Sequence, residues 1–299
     1  MPASALLVAC GGASSARPTA SPPVARVGST VITQAQFDVR VQSTLTALQQ
    51  GGGPSADPAM QTSIRASVLR SLILDAIIAQ EATAQRLAMT DSEVQQEVNM
   101  DAQQAGGINQ LQSQLASAGG SIAQLQDEIR SQGNEQRLEN AFAQQRAQLV
   151  EQTLAGGADF ASTAKQYSDD TGTAPKGGDL GALSASDLQS DDPTFVAAVK
   201  ALTVGAYTRS PVRDAGGYDV IQLYDMTASS WSVRHILVAA PMPYTVHDRP
   251  GWFSESLFAT VAQQCHTGKI QVYIHDAGSD PCSGAPTLSP APLPSIPGA

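Results

Sequence analysis

Asp159-Phe160-Ala161-Ser162-Thr163-Ala164-Lys165-Gln166-Tyr167-Ser168-Asp169-Asp170, followed by Gly177-Gly178-Asp179-Leu180-Gly181, decides how this chain is read. The first run reads as a helix opened by Asp159, anchored by Phe160 and closed at a polar Ser168-Asp169-Asp170 corner. The paired glycines mark a turn, and a short strand is expected to follow. Further on come Phe195, then Ser210-Pro211-Val212, then Gly217-Tyr218-Asp219-Val220-Ile221. The first two runs thus give a helix, a glycine turn and a strand.

These landmarks, in this order, resemble the parvulin family of peptidyl-prolyl isomerases. The resemblance implies an α+β domain over residues 141–240, with a small antiparallel four-stranded sheet and surrounding helices. It also implies a proline pocket at Leu180, Leu188 and Phe195 and a polar cluster containing Asp170 and His235. The family's second histidine, in the final strand, is replaced by Asp219, and its threonine-like position by Asp214. Carboxylates crowded around one imidazole are expected to raise its pKa. Each assignment has a plain alternative. Asp170 could cap a turn, Leu180, Leu188 and Phe195 could be ordinary core, His235 could be a satisfied sheet histidine, and Asp219 could face solvent.

One element is out of order. A parvulin domain opens with a strand of the type R-H-I-L-V, but Gln132 to Leu138 is no strand. Ser232-Val233-Arg234-His235-Ile236-Leu237-Val238 comes instead after the last expected strand. A circularly permuted domain would pair residues 232–238 with residues 218–225 as a hairpin, since antiparallel neighbours need only a short connection. The competing reading is a second, decayed repeat opened by His235. Residues 258–264 faintly echo residues 160–166, although no second GGDLG follows. Permutation is favoured, because a missing core strand leaves ladder groups unpaired.

Residues 25–140 form a mostly helical N-terminal unit. Arg26 to Ile32 alternates like a short strand. Thr33 with Gln36, Thr90 with Glu93 and Ser121 with Gln124 have capping-box spacing, and Ile64 to Ala84 repeats at helical period. Gly106-Gly107 and Gly119-Gly120 separate the pieces. A strand followed by such helices resembles the N-terminal chaperone domain of the SurA and PrsA foldases.

At both ends the composition turns to Pro, Ser, Gly and Ala. Residues 1–24 are expected to hold a truncated lipoprotein signal and a tether. Leu7-Val8-Ala9-Cys10 resembles a bacterial lipobox, which makes Cys10 the candidate lipidation site. Residues 241–282 are read as a C-terminal extension stapled by a Cys265–Cys282 disulfide, and residues 283–299 as a disordered proline-rich tail. His266 and His275 lack zinc-site spacing relative to these cysteines, so no metal is expected.

The 299 residues carry 27 acids against 17 bases, a net charge of −10. That excludes a basic face for nucleic acid. The expected function is an extracytoplasmic, lipid-anchored isomerase and chaperone. Its partners would be unfolded or partly folded exported polypeptides containing X-Pro bonds, together with the membrane through the lipid anchor. Neither role needs a cofactor. A catalytically degenerate holdase is the first alternative and a structural envelope protein the second.

Overall fold

The computed structural model describes residues 21–53, 55–242, 249–274 and 280–282. Cys10 and the proline-rich tail lie outside them. No helix among the described residues is long and apolar enough to cross a membrane.

The chain opens with a hairpin, β1 (Pro23–Val27) and β2 (Thr30–Thr33). The alternation over residues 26–32 predicted one strand. The chain reverses between Val27 and Thr30, and the two halves pair antiparallel. The first strand starts at Pro23, so the tether expected through residue 24 stops short of it.

Helices α1 (Gln34–Gln50), α2 (Pro58–Ala84), α3 (Asp91–Ala105) and α4 (Ile108–Ser117) follow. Thr33 and Thr90 form reciprocal capping boxes with Gln36 and Glu93. Ser121 makes only half of the expected box. It accepts from Gln124 N–H, while the Gln124 amide donates instead to Ser43 at 2.9 Å.

Helix α5 (Ile122–Ala155) runs unbroken for 34 residues. The boundary expected at residue 140 therefore falls inside one helix, and the helix expected to begin at Ala141 is its second half. Gly133 lies in its middle because Met89 packs where a side chain would begin.

The second unit holds α6 (Phe160–Tyr167), β3 (Asp179–Ser184), α7 (Ala185–Ser190), α8 (Pro193–Ala201), β4 (Val212–Arg213), β5 (Gly217–Met226) and β6 (Ser230–Ala239). The sheet order is β3-β6-β5-β4, antiparallel throughout. The late His-Ile-Leu-Val segment is thus an interior strand, between β3 and β5. Permutation describes this chain and the second repeat does not. Phe258, the counterpart of the buried Phe160 in that alternative, is 66% exposed.

Strand alternation gives the sheet two working faces. On one, Tyr218, Val220, Ile236 and Val238 pack against Ala143, Ala147 and Val150 of α5 and Phe160 and Ala164 of α6. On the other, Ile221, Leu223 and Val233 pack against Leu188, Phe195 and Val199 of α7 and α8. His235 and Asp219 lie on this second face, two residues along from Val233 and Ile221, which places them beside α8.

The C-terminal segment turns back to the N-terminal unit. Helix α9 (Gly251–His266) buries Phe253 and Leu257 against Ile78, Ala82, Leu138 and Phe142. Strand β7 (Ile270–Val272) pairs with β1, completing a sheet of order β2-β1-β7. Cys265 and Cys282 form a disulfide, and both pack on the core around Phe37 and Leu69. The stretch expected as a C-terminal extension supplies an edge strand and a core residue, Ile270, to the first unit. Its short apolar strand satisfies ladder groups that β1 would otherwise expose.

Candidate active site

The Ser168-Asp169-Asp170 corner is stitched to β6 by three bonds. Asp169 N–H donates to Leu237 O at 2.8 Å, Leu237 N–H to Ser168 Oγ at 3.1 Å, and Ala239 N–H to Asp169 Oδ2 at 2.8 Å. Trp252 of α9 adds a 3.0 Å bond to the same Asp169 oxygen. Burial raises the Asp169 pKa against these bonds. The corner therefore aims the next residue, Asp170, along the face of β6.

His235 is buried, with a carboxylate at each ring nitrogen. Nδ1 is 2.8 Å from Asp219 Oδ1, and Nε2 is 2.9 Å from Asp170 Oδ2. When the ring is protonated both nitrogens donate. The Asp219 contact is a diagonal cross-strand pair, because Ile221 stands directly opposite His235. Thr173 reaches the same place from the turn after Asp170. Its hydroxyl bonds to Asp170 and lies 3.1 Å from Nε2. The Phe195 ring meets the imidazole edge-on, with centroids 6.4 Å apart.

Desolvation works against the charge on His235, but Asp219 and Asp170 outweigh it and raise its pKa. Burial, reinforced by Asp214 and opposed by His235, pushes Asp219 up to about 7. The Asp219–His235 pair thus keeps a proton to higher pH than either group would in water. Burial also opposes ionisation of Asp170, but bonds from Thr173, His235 and Gly172 prevail and lower its pKa.

Beside this chain of groups lies an open cleft of about 520 Å³. Leu180, Leu183, Phe195 and Leu237 supply its apolar wall, with His235 and Asp219 among the lining. The structure brings together five residues singled out in the sequence: Asp170, His235, Asp219, Leu180 and Phe195. Leu188 is the exception. It is 1% exposed and belongs to the core beneath the sheet, because its position on α7 turns it toward Ile221 and Leu223. Leu183 lines the cleft instead. The sequence reading also missed Leu237 and Thr173. Alternation along β6 from His235 would have found Leu237, whereas Thr173 left no signal.

The site places an open cleft with an apolar wall against a hydrogen-bonded, proton-holding cluster. The Thr173 hydroxyl bonds to Asp170, and Nε2 is shared with that same carboxylate. The geometry therefore favours non-covalent stabilisation over attack by a nucleophile. Among the described residues no group of His, Cys, Asp or Glu is arranged to hold a metal ion.

A four-stranded antiparallel sheet carries this cleft and is joined to a helical unit by one long helix, a two-unit architecture. Residues 3–139 match the family model of the SurA-like N-terminal domain, and residues 124–225 that of the PPIC-type PPIase domain. The chain thus carries a SurA-like N-terminal domain joined to a PPIC-type domain. It is 44% identical over 79 residues to the chaperone SurA of Chromohalobacter salexigens, covering 26% of this chain and 17% of that one. It is 44% identical over 77 residues to the foldase protein PrsA of Clostridium botulinum, covering 26% and 22%. These matches span about a fifth of the curated relatives' length. The crystal structure of the peptidylprolyl isomerase PrsA from Bacillus anthracis overlaps 69% of this chain and 99% of its own. Identity there is 18% and the TM-score 0.26, too low to compare overall arrangements.

Proposed function

We propose that this protein is an extracytoplasmic foldase that turns X-Pro bonds in unfolded exported polypeptides. The observation that carries this reading is the open apolar cleft beside His235, Asp219 and Asp170. Rotation about an X-Pro bond crosses a barrier of about 18–20 kcal/mol and makes or breaks no bond. A catalyst must bind the twisted amide better than either planar form. Seating the proline ring against Leu180 and Phe195 would hold one side of the bond. The twisted amide moves charge off its carbonyl oxygen and frees the nitrogen lone pair, and fixed donors beside an apolar wall can favour that state. Each 1.4 kcal/mol gained there is about tenfold in rate.

In this reading the helical unit of residues 25–140 holds the client and residues 141–240 act on its prolines. The disulfide supports an oxidising, extracytoplasmic location. Acylation of Cys10 would tether the protein to the cell membrane.

A second reading is a holdase that has lost catalysis. Asp219 favours it, since it makes the cluster more anionic than one with two histidines. Isomerisation of a prolyl peptide, followed by exchange NMR on wild type and His235→Ala, separates the two. The foldase predicts a wild-type rate well above the uncatalysed one and a loss in the variant. Equal rates at the uncatalysed level, with suppression of client aggregation retained, would leave the holdase.

A further inference from the structure

Asp187, Asp191, Asp192 and Asp214 line the cleft at exposed or half-buried positions, Asp219 is buried, and no Lys or Arg is part of the lining. The first three come from α7 and from the turn into α8, so backbone geometry fixes their placement. Asp187 accepts from Ser184 N–H and Asp192 from Thr194 N–H. The Thr194 hydroxyl and then its N–H lower the Asp192 pKa, and the Ser184 N–H and then its hydroxyl lower that of Asp187. Asp191 is exposed between them. None of the three has an ion-pair partner among the described residues. The apolar wall of Leu180, Phe195 and Leu237 satisfies a proline ring and leaves this charge unanswered.

We infer that the cleft selects X-Pro segments in which a lysine or arginine flanks the proline. The inference rests on the prolyl-binding reading above and adds the substrate class. A cation beside the ring would face these carboxylates while the ring occupies the apolar wall. An anion in that place would meet several like charges at short range, where repulsion is least screened. Selection therefore comes as much from rejecting acidic neighbours as from favouring basic ones.

The test uses the full chain and capped hexapeptides that differ only beside one proline, with Lys, Ala or Glu placed before it or after it. Binding is read from chemical-shift changes of His235 and Phe195. The expected order is Lys, then Ala, then Glu, with about a fivefold preference for Lys over Ala in dilute buffer. The gap should close near 1 M salt, where the Debye length falls to about 3 Å. Asp191→Asn, at an exposed position whose side chain makes no hydrogen bond or ion pair among the described residues, should shrink the Lys-to-Ala ratio. Combining it with Asp187→Asn and Asp192→Asn should bring the ratio close to one. If the combined variant does not fold, the wild-type salt series and Asp191→Asn still decide. Equal affinity for the Lys and Glu peptides, with both moving His235 and Phe195, overturns the charge selection and leaves the prolyl site standing. If no peptide moves these residues, the prolyl-binding reading falls and the selection falls with it.

Discussion

The carbonyl of His235 occupies the place where a side chain on Gly178 would begin. The two backbones also bond, His235 N–H donating to Gly178 O at 2.9 Å. Gly178 has φ of +77°, a conformation that other residues adopt at a cost. The glycine turn is thus the surface against which the histidine strand is laid, and the position of the imidazole depends on it.

Gly178→Ala should therefore cost more than about 2 kcal/mol, from strain at positive φ together with the clash. Urea denaturation measures this. The same variant should lose prolyl-peptide binding, because β6 must shift away from Asp170. Wild-type stability in the variant would contradict the close approach.

Asp219→Asn removes one of the two charges that raise the His235 pKa. NMR titration of the imidazole should show its pKa dropping to or below the ordinary 6.5. The sign for stability follows from linkage. A raised histidine contributes stability that is fully present below its unfolded value and is lost as pH rises through its folded value. Wild type should lose this contribution as pH climbs above about 6.5, and Asp219→Asn should show a flatter profile there.

Glu139 predicts a pH effect in the other unit. It is 1% exposed on α5, near Glu135 and Arg249, and one of its carboxylate oxygens has no hydrogen-bond partner. Burial, and then the charge of Glu135, raise its pKa from 4.5 to about 7, against the pull of Arg249. The folded state then holds a proton that the unfolded chain releases, so stability falls as pH rises from about 4.5 to 7. At about 1.4 kcal/mol per unit the loss is on the order of 3 kcal/mol. Glu139→Gln should abolish that slope and be the more stable protein at pH 8, as thermal melts across pH would show.

The Cys265–Cys282 bond closes a loop with a sequence separation of 17. Replacing both cysteines by serine should cost about 3 kcal/mol in the chain-entropy model. Hydrogen exchange should quicken first at β7 and β1, where the C-terminal segment is laddered to the hairpin. The His235 environment should not change, since that site lies in the other sheet.

Local signals were legible where one short stretch carries its own chemistry. Thr33 and Thr90 announced helix starts, and the Asp159-Phe160 run and Gly177-Gly178 announced α6 and its turn. The Arg234-His235-Ile236-Leu237-Val238 run announced a strand through its resemblance to the family's opening one. Leu188 was misplaced because the resemblance carries over a position without saying whether α7 turns that side chain into the core or into the cleft. Helix α5 was divided at residue 140 because the parvulin resemblance starts a new domain there, whereas the helix runs on from Ile122 to Ala155. The destination of residues 249–282 left no local trace, since the pairing of Ile270 with Val27 joins opposite ends of the chain.

From the sequence came the two kinds of unit, the parvulin resemblance carried by the ordered landmarks from Asp159 to Ile221, and the pairing of two cysteines. Those features depend on neighbours a few positions apart, or on a count. Folding decided the rest: that His235 stands between Asp170 and Asp219, that a cleft lined with carboxylates opens beside them, and that the last strand closes the first sheet. These depend on contacts between residues far apart in the chain, Asp170 and His235 being 65 positions apart. Such contacts exist only once strands pair and their faces are buried, because alternation sets which side of a sheet a residue takes but not what it meets there.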